Sequence, residues 1–182
     1  MTLSLEREKY SRCYRDPNYK MGQGRAREIA KDIALIPAGS TYLDVGCGRG
    51  ESIRLAESFG IVATGLELVP YLCNESVVEG NIGELPFEDS SFEYVSCYDV
   101  VEHLPTEQVD EALSELFRVA SKWVFITTND KSSIHNVCGD NLHLTRKPRD
   151  WWEQKISPLC NSLESLVYPV NEWHFRASVR PS

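Results

Sequence analysis

The chain has 182 residues, 42% hydrophobic and 25% charged, enough for one well-buried domain and too short for two comfortable ones. A formal net charge of −8 argues against a general nucleic-acid binder, whose affinity rests on neutralising phosphates. The longest apolar runs, such as Trp123 to Ile126, are strand-sized and residues 1–10 hold no apolar signal core, so neither a membrane nor a secreted setting is expected.

The charge is uneven: residues 1–30 sum to +3, residues 31–142 to −13 and residues 143–182 to +2. An acidic centre between mildly basic ends suits a cationic cofactor in the middle and an anionic acceptor near the termini. Cysteines 13, 47, 73, 97, 138 and 160 make no Cys-x-x-Cys pair, which disfavours a zinc site or a disulfide framework and suits a reducing cytoplasm.

In chain order, residues 3–20 predict a short helix followed by a loop at Asp16-Pro17-Asn18. Ile29, Ile33 and Ile36 recur at helical spacing and predict a helix over 25–36, stopped by Pro37-Ala38-Gly39. A strand over 41–45, a glycine turn, a helix to about Phe59 and a strand over 61–66 follow. Past Pro70 come a short helix and a brief strand over 77–79, then a turn-rich loop into a strand over 94–98. Val109, Leu113, Leu116 and Phe117 mark one face of a helix over 106–120. A fifth strand covers 123–127, a helix lies around 149–155, and strands over 163–170 and 173–179 read as a hairpin.

Strands alternating with helices imply an α/β fold with a mostly parallel sheet and helices on both faces. Ligands in such sheets lie at the carboxyl ends of the strands. The candidate site is Leu43-Asp44-Val45-Gly46-Cys47-Gly48-Arg49-Gly50, where an apolar strand reverses into a helix and the backbone needs angles that side chains disfavour. Glu67 closes the second strand 21 positions after Gly46, the distance at which an acid reaches a ribose. The Gly-x-Gly-x-Gly spacing is tighter than the dinucleotide fingerprint and fits a nucleoside without phosphates better; glycines that serve the turn for steric reasons alone are the alternative.

These segments together resemble the class I S-adenosylmethionine-dependent methyltransferases, particularly the small type 11 group. Leu43 to Gly50 looks like motif I, Gly65-Leu66-Glu67 like the acidic end of strand two, Gly80 to Phe87 like the loop around the adenine, and Asp99-Val100-Val101-Glu102-His103-Leu104 like the motif after strand four. The resemblance implies a Rossmann-like seven-stranded sheet closed by a C-terminal antiparallel hairpin. It implies a single domain over 1–182, with a helical lid segment over 1–40, a cofactor-binding core over 41–129 and an acceptor side over 130–182.

It implies S-adenosyl-L-methionine as cofactor, released as S-adenosyl-L-homocysteine. Gly46, Cys47, Gly48 and Asp44 would lie near its methionine end, and Glu67 would accept hydrogen bonds from the ribose hydroxyls. Leu68 would pack on the base, Asn81, Ile82 and Gly83 would frame it, and Cys97 and Tyr98 would pass beneath the sulfonium.

The sulfonium is already a good leaving group, so the protein has to align the nucleophile and manage one proton. His103, expected to titrate near neutrality, is the candidate base; a helix-capping role is the alternative. No metal is expected, although Asp99, Glu102 and His103 resemble a Glu-x-x-Glu-His metal motif, with His143 as a possible fourth ligand. Tyr14, Tyr19, Met21, Trp151 and Trp173 would wall the acceptor, with His143 nearby, and Arg25, Arg146 and Arg149 would hold a carboxylate or phosphate.

The expected function is O-methylation of a small molecule or terminal group in the cytoplasm. Methylation of RNA or another polymer end, or cofactor binding by a non-catalytic partner subunit, are the alternatives.

Overall fold

In the computed structural model, residues 3–17, 19, 23–132, 141–168 and 172–181 are described. Helices α1 (Leu3–Arg15) and α2 (Gln23–Ile33) precede strand β1 (Thr41–Val45), α3 (Glu51–Ser58), β2 (Val62–Glu67), β3 (Val77–Glu79) and β4 (Phe92–Tyr98). Helix α4 (Val109–Val119), β5 (Ala120–Asn129), α5 (Arg149–Ile156), β6 (Cys160–Tyr168) and β7 (Glu172–Val179) complete the order. Among the described residues, no helix is long and apolar enough to cross a membrane.

The seven strands form one sheet in the order β3-β2-β1-β4-β5-β7-β6. The first five pair in parallel, while β7 runs antiparallel between β5 and β6. The expected hairpin is present, and its second strand, not its first, docks on β5. Helix α2 ends at Ile33, earlier than the apolar spacing predicts. Leu35 N–H bonds to Asp32 O and Ile36 N–H to Ile33 O, so the last turn tightens to i→i+3 bonds before Pro37.

Alternation along the strands divides the core in two. Leu43, Val45, Val95, Cys97, Val124, Ile126, Phe175 and Ala177 pack against α4 and α5 residues such as Leu113, Leu116, Trp152 and Ile156. Tyr42, Tyr94, Tyr98 and Phe125 face the other way, against Ile29 and Ile33 of α2 and Ile53 and Ala56 of α3. On this second face Asp32 is fully buried. Its carboxylate accepts hydrogen bonds from Tyr98 Oη at 3.0 Å and Arg176 Nε at 2.8 Å, and His174 Nε2 lies 2.7 Å away. That group joins α2 to β4 and β7.

Candidate functional site

The glycine turn leaves the carboxyl end of β1 with three left-handed residues: Gly46 (φ 75°), Gly48 (φ 56°) and Gly50 (φ 74°). A Cβ on Gly46 would come within 2.4 Å of Val100 Cγ2, and one on Gly48 within 2.6 Å of Tyr14 Oη. The steric reason for glycine therefore holds at Gly46, whose missing side chain admits Val100 from the segment after β4. At Gly48 the freed space holds a hydroxyl.

Glu67 ends β2 beside this turn and is 4% exposed. Its Oε2 accepts the Gly48 N–H at 2.8 Å, and its Oε1 accepts Leu68 N–H at 2.8 Å and Val69 N–H at 3.1 Å. Burial raises its pKa, opposed by those three N–H groups. Three bonds on a carboxylate that offers about four acceptor positions leave Oε2 able to take a hydroxyl. The remaining acceptor position on Glu67, beside a turn built on three left-handed glycines, thus fits a ribose hydroxyl of a nucleoside.

Other residues expected around the cofactor sit differently. Asp44 faces α3: Ser52 Oγ donates to its Oδ2 and Ser96 Oγ to its Oδ1 at 2.6 Å. Burial lifts its pKa to about 6 against these bonds. Cys97 is buried in the core under α4, and Tyr98 Oη turns away to Asp32. Both end β4, where strand alternation sends their side chains into the two cores. Ile82 likewise sinks into the core. Asn81 Oδ1 accepts the Gly83 N–H at 3.3 Å, Cys47 is buried against α3, and Leu68 is half-buried beside Glu67.

After β4 the chain turns through Asp99, whose φ is 55°, into a single 3₁₀ turn, Val101–His103. The segment after β5 is fastened onto it. Glu102 O accepts both Leu144 and Thr145 N–H at 2.9 Å, and Thr145 Oγ1 donates to Leu104 O at 2.7 Å. His103 Nδ1 lies 3.0 Å from Leu142 O and His143 Nδ1 2.7 Å from Lys131 O. A carbonyl only accepts, so each neutral ring carries its proton on Nδ1 and its lone pair on Nε2. The rings meet edge-on at 4.7 Å.

Burial and then His143 lower the His103 pKa to about 3, with Lys9 adding to this and the Leu142 and Asp99 carbonyls opposing. His103 therefore does not titrate near neutrality. At neutral pH its resting form is the neutral imidazole, with the Nε2 lone pair as acceptor.

Three of the four residues of the resembling metal motif converge. Ligand atoms of Glu102, His103 and His143 lie within 4.8 Å of one another, a carboxylate-and-imidazole set of the type that suits divalent ions. Asp99 is held elsewhere, receiving Thr127 Oγ1 on its Oδ1 at 3.2 Å. Glu102 Oε1 accepts Asn129 Nδ2 at 2.9 Å.

Of the residues expected to wall the acceptor, Tyr14 and Tyr19 meet edge-on at 5.1 Å beside the glycine turn. Met21 and the Arg25 side chain lie outside the described residues. Arg146 is exposed and donates to Asp130 O at 2.8 Å, and Arg149 pairs with Glu153 at 3.2 Å. Trp151 packs edge-on to Trp152 beside the α4 core, and Trp173 borders the same core.

Residues 43–124 match the family described as a methyltransferase domain. The fold superposes on two solved proteins over 90% or more of this chain. PH0226 of Pyrococcus horikoshii covers 90% of this chain and 94% of its own, with a TM-score of 0.69 at 15% identity. Phosphoethanolamine N-methyltransferase 2 of Haemonchus contortus, solved in complex with S-adenosyl-L-methionine, covers 100% and 58%, with a TM-score of 0.67 at 17% identity. The fold is class I methyltransferase-like. Among curated relatives, botryococcene C-methyltransferase of Botryococcus braunii is 30% identical over 128 residues, 62% of this chain and 33% of that one. The matches span about a third to a half of the length of the first such relatives.

Sequence reasoning passed over Tyr10 and Lys9. Tyr10 stacks edge-on against His103 at 5.7 Å, and Lys9 is 5% exposed. Glu6, Lys9, Tyr10, Cys13 and Tyr14 follow the i, i+3, i+4 spacing of a single helix face, and that spacing was the available signal.

Proposed function

We propose that the chain is an S-adenosyl-L-methionine-dependent methyltransferase that methylates oxygen on a small or terminal acceptor. The observation that carries this reading is the left-handed Gly46-x-Gly48-x-Gly50 turn with the Glu67 carboxylate closed against Gly48 N–H, in a chain matched by a methyltransferase domain family. When bound, the cofactor supplies a methyl group on a sulfonium. Gly46 and Gly48 would give its methionine end close approach to backbone, Glu67 would accept one ribose hydroxyl on Oε2, and Asn81 to Gly83 would border the base.

His103 would take the acceptor's proton on Nε2. A histidine held near pKa 3 is a weak base, so the matching acceptor is an acidic hydroxyl, phenolic or enolic, rather than an aliphatic alcohol. A second reading, methylation of carbon, is favoured by the name of the Botryococcus braunii relative. An enol or phenol also offers a nucleophilic carbon.

Incubation with methyl-labelled cofactor and extracted metabolites, followed by product identification, tests the proposal. Methyl ethers support it, C-methyl products replace it with the second reading, and tight cofactor-product binding with no transfer to any acceptor supports the partner-subunit alternative.

A further inference from the structure

Helix α1 crosses the carboxyl ends of the strands, held by Tyr71 Oη donating to Ser11 O at 3.0 Å and by Arg49 donating to Tyr14 O. A helix that merely covers a core presents aliphatic side chains inward. The inward face of α1 instead carries Glu6, Lys9, Tyr10, Cys13 and Tyr14, while Ser4, Leu5, Glu8, Arg12 and Arg15 face solvent. Lys9 Nζ meets Glu6 Oε2 at 2.6 Å and lies 4.8 Å from the centre of the Tyr10 ring. The Tyr10 hydroxyl is buried, and among the described residues it has no hydrogen-bond partner. Burial drives its pKa far up, with Tyr19, Glu6, Cys13 and Glu102 adding to the effect, so the phenol keeps its proton and remains a donor.

An orphaned buried donor of this kind costs free energy unless a partner arrives. We propose that Tyr10 is an acceptor-orienting residue, donating its phenolic hydrogen bond to the oxygen that is methylated while His103 Nε2 receives that oxygen's proton. The proposal rests on the methyltransferase reading above and narrows its substrate class. A donor from Tyr10 and a lone pair from His103 match a hydroxyl, which both accepts and donates. A carboxylate would set its own lone pairs against Nε2, and an ammonium would leave Tyr10 without an acceptor. In the transfer the acceptor oxygen gains the methyl group as the donor's S–CH₃ bond cleaves with its electron pair left on sulfur. The hydroxyl proton passes to His103 Nε2, and Tyr10 keeps its own.

The test compares wild type and Tyr10→Phe in three measurements: melting temperature, calorimetric binding of S-adenosylhomocysteine, and label transfer to catechol, 4-nitrophenol, ethanolamine and benzoate. The expected result is a variant that melts at the same or a higher temperature, binds S-adenosylhomocysteine as wild type does, and loses about tenfold or more in kcat/KM toward the phenols, the scale of one lost hydrogen bond to a reacting oxygen. Unchanged phenol kcat/KM in Tyr10→Phe overturns the proposal. So does a wild type that binds S-adenosylhomocysteine but transfers label only to ethanolamine or benzoate, or to none of the four. A wild type that does not bind S-adenosylhomocysteine instead overturns the methyltransferase reading itself.

Discussion

Replacing Asp44 with Asn isolates a stability term that the fold predicts in sign and size. The Asp44 carboxyl is 4% exposed, and its pKa rises from 3.8 to about 6 in the folded chain. The folded state therefore binds the proton more tightly than the unfolded state, so stability falls as pH rises from about 4 through about 6 and is level above. A shift of roughly two units corresponds to about 3 kcal/mol, of which about 2 kcal/mol is lost between pH 4 and pH 7. An amide keeps the shape, accepting from one serine hydroxyl and donating to the other. Asp44→Asn should gain on wild type by about 2 kcal/mol between pH 4 and pH 7, or roughly 4–8 °C in melting temperature for a chain of this size. Urea titrations at both pH values measure it directly, and the difference between variants cancels the other carboxyls. If the two proteins change in parallel across that range, Asp44 is not the strained group described.

Gly46→Ala should cost about 3 kcal/mol, from the left-handed backbone and from a Cβ 2.4 Å from Val100 Cγ2, and Val100→Ala in the same chain should recover part of it; a Gly46→Ala variant of wild-type stability removes the packing argument. Asp32→Ala should lose about 3–5 kcal/mol in denaturant titration, since it strands Arg176 and His174 around a buried vacancy, whereas a loss under about 1 kcal/mol would mean the group behaves as a surface pair. Because His103 takes the proton directly in this account, methyl transfer should survive EDTA. Activity lost to chelator and restored by a divalent ion would instead place that ion among Glu102, His103 and His143.

The strands were legible because buried parallel strands carry continuous apolar runs such as Trp123 to Ile126, and the glycine turn because left-handed backbone leaves few residue choices. The placement of β7 between β5 and β6 was not, since a hairpin pattern does not say which strand docks. Asp44 read as a ligand-side acid from its position beside the turn. Strand alternation directs it to Ser52 and Ser96, and only the partner faces reveal that. The basicity of His103 depends on burial and on His143, 40 positions away, which no local pattern encodes. Tyr10 was hidden for a related reason: an aromatic at helical spacing reads as packing until its hydroxyl is seen buried and unpaired.

Calorimetric binding of S-adenosylhomocysteine to wild type and to Glu67→Gln tests the central claim most directly. Glutamine retains the size of the side chain, but its single acceptor oxygen cannot serve both Gly48 N–H and the Leu68 and Val69 N–H groups, and it removes the charge that strengthens hydrogen bonds from a ribose. The account predicts binding by wild type and a loss of roughly 10- to 100-fold in the variant, as expected for hydrogen bonds to a charged group. Equal affinity in the two proteins, or no binding by wild type, contradicts it.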